Sequence, residues 1–270
     1  MAQPLTDAIN SLITYSNSVT GQSDVTLSDC VATLASGYGG GGIDTDAIAT
    51  GTQPSGAITL SSSVTSIVDY AFAGSSITSI TAPSVTSIGT NSLQNTQITS
   101  ITDDNLPSFG VNSIGMIWLR CRTLQNIKLS GERITLYNGS GALRDNTALV
   151  RAEFPNAAKN VGASYIGIGN SAFYGDTNLE FLDAGFIHST GGNCFYNCRK
   201  LQTLILRYTS VVSTNTSHFT NTPFRGYNGL TGTVYCPQSL VSSYQTANYW
   251  STMYNDGTCT FVAIEGSQYE

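Results

Sequence analysis

The chain is short of charge. Of its 270 residues only 10% are charged, 11 Lys and Arg against 17 Asp and Glu, for a net charge of −6. An average globular domain carries about 25%. No basic stretch is available to track phosphates, which removes nucleic acid from the expected partners. No apolar run approaches the ~18 residues of a membrane span, so no membrane insertion is expected. The opening "MAQPLTDAINSLITYSNSVTG" contains no Lys or Arg and no continuous apolar core, unlike a secretory signal. Low charge also argues against disorder, because disordered chains combine low hydrophobicity with high charge. Cysteines stand at 30, 121, 194, 198, 236 and 259. The chain is long enough to build a core that needs no disulfide framework.

Ser, Thr, Asn and Gly fill the deficit, and they do so periodically. The stretch "VTSIVDYAFAGSSITSITAPSVTSIGTNSLQNTQITSI" is nearly the same phrase twice. Ile67 maps onto Ile88, Phe72 onto Leu93, Ile77 onto Ile98 and Ile80 onto Ile101 at a separation of 21. A fixed period in the twenties signals a solenoid, whose units bury their apolar side chains against the units above and below. A fuller pattern follows: an aromatic or Leu, two residues, Cys or Asp, two residues, Leu, two residues, an apolar residue. "WLRCRTLQNI", "FYGDTNLEFL" and "FYNCRKLQTL" fit it well, "LRDNTALVRA" less closely. The anchors Phe72, Leu93, Trp118, Leu143, Phe173, Phe195 and Phe219 define seven coils, spaced by 21 to 30 residues.

After each anchor the chain alternates as a strand does. Ile80 and its equivalents point inward, as does a second position that holds Ala82, Asp103, Leu129, Phe154, Ala184 and Leu206, apolar in five of six copies. Two rows point outward: Ser79, Ser100, Asn126, Arg151, Phe181, Thr203 and Thr81, Thr102, Lys128, Glu153, Asp183, Ile205. Stacked in register at ~4.8 Å per coil, these strands form a parallel sheet roughly 30 Å long. Thr suits the exposed positions because it is β-branched, and hydroxyls keep the face soluble without charge.

These residues resemble the BspA-type leucine-rich repeat, which reads roughly "LTSIxIPxSVTSIGxxAFxxCxxL". The resemblance covers about 58–262 and implies an α+β repeat fold, a right-handed leucine-rich-repeat solenoid with one stacked parallel β-sheet. "GTVYCPQSLVSSYQTANYWSTM" resembles the closing unit of such arrays, with Tyr235, Pro237, Leu240, Tyr244 and Trp250 as a C-terminal cap.

Residues 5–36 differ. Leu5, Ile9, Leu12 and Ile13 fall on one helical face, and Ser28 opens a second short helix. "GYGGGG" then makes a flexible joint. Two short helices form no core alone, so this face is expected to serve attachment or homo-oligomerisation. The segment resembles the opening of bacteriophage tail and appendage proteins. The expected organisation is a helical attachment segment over 1–38, a glycine-rich linker over 39–57, the solenoid over 58–230 and the cap over 231–270.

No catalytic constellation emerges. Cys194 and Cys198, with His188 upstream, are half a zinc site at best, and both already have places in the repeat. Asp103-Asp104 places neighbouring carboxylates on opposite faces of a strand or in a turn. His188 and His218 lack a nucleophile elbow. The glycines of "GYGGGG" lack the Lys-Ser/Thr of a phosphate loop, and "NGSG" at 138–141 reads as a turn. The chain is therefore expected to be non-enzymatic, with no cofactor and no metal. Solenoid sheets are recognition surfaces, which makes Asn126, Lys128, Arg151, Glu153, Phe181, Asp183 and Thr203 the expected ligand-binding residues. The resemblances imply a bacteriophage virion protein that displays this domain for a host-surface glycan or protein and contacts other virion proteins. A bacterial cell-surface adhesin of the same repeat family is the alternative.

Overall fold

The computed structural model describes residues 54–60, 62, 64–67, 70–107, 117–136, 141–159 and 167–270. The expected attachment face of Leu5, Ile9, Leu12 and Ile13, Cys30, the glycine run and Asn138–Ser140 lie outside the described residues.

The chain is a stack of coils. Three-residue strands alternate with turns, and each strand pairs in parallel with the equivalent strand of the next coil. Strands β5 (Ser100–Thr102), β6 (Asn126–Lys128), β7 (Arg151–Glu153), β9 (Phe181–Asp183), β11 (Thr203–Ile205), β12 (Gly232–Cys236) and β13 (Cys259–Ala263) form one seven-stranded sheet. Its register runs Ile101, Ile127, Ala152, Leu182, Leu204, Val234, Phe261 along one column. These are the inward positions expected from the alternation, and every one of them is buried. Strand β3 (Ser76–Thr81) lies beside β5 and pairs with β1 (Ser55–Thr59), Ile80 opposite Ile58. Residues 55–57, assigned to the linker on sequence, are thus strand.

A second, narrower set of pairings lies five residues before the anchors. Ile67 of β2 (Ser66–Ile67) pairs with Ile88 of β4 (Ser87–Ile88). Ile168 of β8 (Gly167–Ile168) pairs with Thr190 of β10 (Ser189–Thr190). Where Ile gives way to Thr, the buried hydroxyl needs a partner. Thr190 Oγ1 lies 2.6 Å from Thr214 Oγ1 and 2.8 Å from His218 Nδ1.

The anchors form the spine. All seven are buried, and the rings of Phe173, Phe195 and Phe219 follow one another at 5.9 and 5.0 Å. Each coil turns immediately after its anchor, at a backbone position the sequence pattern had left unassigned. Two residues past the anchor stand Gly74, Asn95, Arg120, Asp145, Gly175, Asn197 and Asn221, all with φ between 56° and 79°. Six of the seven are Gly, Asn or Asp, the residues that enter this left-handed region most readily. In six of the coils the left-handed residue's N–H donates to a carbonyl of the next coil, as from Asn95 to Leu119 O (3.1 Å) and from Gly175 to Tyr196 O (2.9 Å). The turn and the stacking are thus one device.

One residue further, Ser75, Thr96, Cys121, Asn146, Asp176, Cys198 and Thr222 make a buried polar column. Five of the seven side chains donate to an anchor's carbonyl, in their own coil or the one before. Leu93 O accepts from Thr96 Oγ1 and from Cys121 Sγ, both at 2.9 Å. Phe173 O accepts from Cys198 Sγ at 2.9 Å, and Asn146 Nδ2 donates to Leu143 O. This is why the repeat asks for a small polar residue or Cys there.

The C-terminal unit continues the same sheet through β12 and β13, which fall within the residues expected to form the cap. Between them stand two one-turn helices, α1 (Val241–Thr246) and α2 (Trp250–Asn255). Tyr244 and Trp250 are buried and grip the backbone of one residue, Val212, from both sides. Val212 N donates to Tyr244 Oη at 3.0 Å, and Trp250 Nε1 donates to Val212 O at 2.7 Å. Tyr235, expected in the same core, points instead to the outer face of the sheet, where its ring meets Tyr269. Among the described residues no helix is long and apolar enough to cross a membrane.

Candidate recognition surface

The outward columns of the sheet change character along the stack. Over β3 and β5 they hold Ser79, Thr81, Ser100 and Thr102, hydroxyls of intermediate exposure. Over β6 and β7 they become Asn126, Lys128, Arg151 and Glu153. Over β9 and β11 they become Phe181, Asp183, Thr203 and Ile205. The register of the ladder places all of these as expected: Asn126 opposite Arg151, Lys128 opposite Glu153, Phe181 opposite Thr203.

Solvation differs from expectation at two of the seven expected ligand-binding residues. Phe181 and Asp183 were expected to face water; they are only 7% and 3% exposed. The cause is the segment after β13, which crosses the outer face of β9 and β11. Ile264 and Tyr269 pack with Phe181, Ile205 and Tyr235 into a small cluster separate from the main core. Tyr269 lies 5.4 Å from the Phe181 ring and 4.6 Å, edge-on, from the Tyr235 ring.

Beside this cover a cleft of about 470 Å³ remains open, bordered by Lys128, Arg151, Glu153, Asp183, Arg207 and Glu270 among others. Five of the seven expected residues line it: Lys128, Arg151, Glu153, Phe181 and Asp183. Asn126 and Thr203 do not; Asn126 is exposed on β6, and Thr203 stands beside Thr233 on β12. Fixed geometry characterises the cleft. Arg151 Nε meets Glu153 Oε1 at 2.7 Å, while its guanidinium carbon sits over Phe181, 3.6 Å from the ring centroid. Arg207 holds Asp183 in a fork, Nη2 to Oδ2 at 2.8 Å and Nε to Oδ1 and Oδ2 at 3.3 and 3.2 Å. Asp183 Oδ1 also accepts from Gly185 N at 3.1 Å. Planar, bidentate contacts of this kind fix orientation as well as charge. Of the basic residues bordering the cleft, Arg151 and Arg207 are ion-paired and Lys128 is exposed without an ion pair among the described residues.

The chemistry-bearing residues elsewhere are structural. Burial pushes the Cys121 thiol up to about 11 and the Cys236 thiol up to about 12; Cys194, Cys198 and Cys259 are raised as well, again chiefly by burial. Buried thiols held protonated are poor nucleophiles and poor metal ligands. Among the described residues no group of three or more His, Cys, Asp and Glu side chains is placed to hold a metal ion. Burial lowers His218, and Thr190 stands between it and Cys194. Asp103 and Asp104 stand in a turn, where Asp103 Oδ1 accepts from Ser130 N at 2.8 Å.

The sequence matches the family model of the BspA type leucine rich repeat region in six copies, over residues 51–166 and 160–239. The chain belongs to the BspA-type leucine-rich repeat family. No curated protein is similar to it. Among solved structures it resembles a leucine rich cell surface protein from Faecalibacterium prausnitzii A2-165, at 18% identity and a TM-score of 0.42, over 72% of this chain and 54% of that one. The chain thus spans about half the length of that protein. It also resembles a leucine-rich repeat protein from Bacteroides ovatus ATCC 8483, at 17% identity and a TM-score of 0.27, over 77% of this chain and 84% of that one.

For this BspA-type repeat protein, sequence reasoning missed Arg207 and Tyr269. Arg207 had a faint signal: it follows inward Leu206, so continued alternation sends it outward. Tyr269 had none, because a segment folding back across the sheet obeys no period.

Proposed function

We propose that this BspA-type repeat protein is a non-enzymatic recognition protein of a bacterial surface, which binds a glycan or protein of a host through the outer face of its sheet. On this reading the solenoid winds right-handed and the unit after β12 closes its C-terminal end. One observation carries the proposal. The central inward column of the sheet, Ile101 to Phe261, is apolar in every rung and locks the frame, while the outward columns pass from hydroxyls to fixed ion pairs and end at a 470 Å³ cleft. A rigid frame with variable outward chemistry is what recognition by a repeat protein requires. Family membership supports the surface reading. The bacteriophage reading rested on residues 5–36, which lie outside the described residues, and no comparison adds to it.

The experiment is an array of purified host glycans and extracellular proteins probed with fluorescently labelled chain. Saturable binding, weakened at least tenfold by the double substitution Lys128→Ala and Asn126→Ala, is the expected result. Absence of binding to every array member, or release of reducing sugar from a bound glycan, overturns the proposal.

A further inference from the structure

The outer face of the sheet is hydroxylic over β3 and β5, yet over β9, β11 and β12 it presents Phe181, Ile205 and Tyr235. This apolar patch exists only where the chain's own C-terminal segment covers it. The covering segment is not a strand: after Ile264, whose N–H donates to Cys236 O at 2.9 Å, it adds nothing to the ladder. Residues 266–270 bond chiefly to themselves. Gly266 N donates to Glu270 Oε2 at 3.0 Å, Ser267 N to Ile264 O at 2.9 Å, and Tyr269 N to Ser267 Oγ at 3.1 Å. Among the described residues, one polar bond ties residues 266–270 to the stacked coils: Arg207 Nη2 donates to Tyr269 O at 3.0 Å.

The receiving side is built independently of that segment. Arg207 is held by the Asp183 fork, and Asp183 by Gly185 N. The Phe181 ring is backed by the Arg151 guanidinium. Apart from the Tyr269 contacts themselves, the groups that hold Arg207, Asp183 and Phe181 belong to the stacked coils.

We infer that this face is a docking site for a peptide segment carrying an aromatic side chain followed by a carboxylate, and that Gly266–Glu270 occupies it in cis. The seated segment shows the fit. Tyr269 fills the space between Phe181 and Tyr235, its carbonyl takes the Arg207 donor, and Glu270 borders the same cleft as Lys128. A partner with the same features competes with the segment, and its apparent affinity is reduced in proportion to the fraction of molecules in which the site is open. The inference rests on the recognition reading given above for this sheet face.

The test uses the full chain with Tyr269→Ala and a dye-labelled peptide, IEGSQYE, of residues 264–270, followed by fluorescence anisotropy. The tethered segment competes at an effective concentration of order mM. Tyr269→Ala is therefore expected to bind the peptide at least tenfold more tightly than the unsubstituted chain does. Adding Arg207→Ala, or replacing the peptide's Tyr by Ala, is expected to weaken that binding at least tenfold. Tyr269→Leu repeats the measurement in a variant that keeps apolar bulk over Ile205. Unchanged far-ultraviolet circular dichroism establishes that the variants are folded. No saturable binding to either folded variant, equal binding to the unsubstituted chain, or indifference to Arg207 overturns the inference. Peptide binding without binding to any array member leaves the docking site standing and removes the host-recognition reading. Array binding without peptide binding does the reverse.

Discussion

Rungs β5 and β9 occupy equivalent places in the stack and could hardly differ more on their outer side. β5 reads Ser-Ile-Thr, β9 Phe-Leu-Asp. Their central residues, Ile101 and Leu182, are both fully buried, in the same column. Outside, Ser100 and Thr102 meet water, whereas Phe181 and Asp183 lie under a folded-back segment. The difference teaches that the frame constrains each strand at its centre and leaves the two flanking positions open. Stacking energy sits on the anchor and the inward column; recognition chemistry sits one residue to either side.

The largest effect should come from breaking the spine. Phe195 stacks between Phe173 and Phe219, so Phe195→Ala opens a cavity shared by three coils. A loss of about 3–5 kcal/mol is expected, read as a lower urea midpoint. An effect under 1 kcal/mol would mean that the coils do not depend on the anchor column.

Next comes the buried polar column. Asp176 is completely buried in it; Oδ1 accepts from Asn146 N at 2.8 Å, and Oδ2 has no hydrogen-bond partner. Protonation turns this unpaired buried acceptor into a neutral hydroxyl and removes the buried charge. Burial raises its pKa well above the usual 3.8, with the Asp145 charge adding to the rise. The folded chain therefore holds this proton more tightly than the unfolded chain. The stability it contributes is complete below pH 3.8 and is lost as pH rises through the folded-state value. Asp176→Asn keeps a donor at every pH. The two proteins should be about equally stable in acid, with the Asn variant ahead at higher pH by about 1–3 kcal/mol, the usual cost of an unpaired buried polar group. Thermal melts between pH 3 and 9 check this; parallel curves would assign Asp176 no titration.

How far these two regions were legible in the sequence follows from their periodicity. Ile67 over Ile88, the anchors, and the inward column from Ile101 through Leu204 all repeat with side-chain type, so a reader of the sequence can align them. The left-handed turn was equally periodic, in Gly74, Asn95, Asp145, Gly175, Asn197 and Asn221, but it repeats a backbone angle shared by three residue types rather than one side chain. The Phe181 burial was not legible at all. Tyr269 covers it from 88 residues away in the chain, through a contact that belongs to no repeat. Thus the column positions of the candidate site could be read, and its solvation could not.

Arg120 sharpens the turn side of the contrast. It is the one long side chain at the left-handed position, with φ 57°, where a side chain with a Cβ costs roughly 1–2 kcal/mol and Asn less. Its ion pair with Asp145, at 3.6 Å and half-exposed, returns little of this. Arg120→Asn should therefore stabilise the chain by about 0.5 kcal/mol, measurable as a higher urea midpoint with an unchanged slope. Destabilisation would mean that the Asp145 contact outweighs the backbone.

The smallest effect belongs to the open rungs, and it is the sharpest test of the contrast. Ser100 is half-buried on the outer face of β5 and its hydroxyl enters none of the hydrogen bonds that hold the coils. If the frame constrains only the strand centre, Ser100→Ala should change stability by less than about 0.5 kcal/mol. The equivalent substitution on β9, Phe181→Ala, removes a ring gripped by Arg151 and Tyr269 and should cost more. Both variants sit in the same column of the same sheet, so any shared effect of the strand position cancels in the comparison of their urea midpoints. A Ser100→Ala loss as large as that of Phe181→Ala would place stacking energy on the outer column, and the separation of frame from recognition face would fail there.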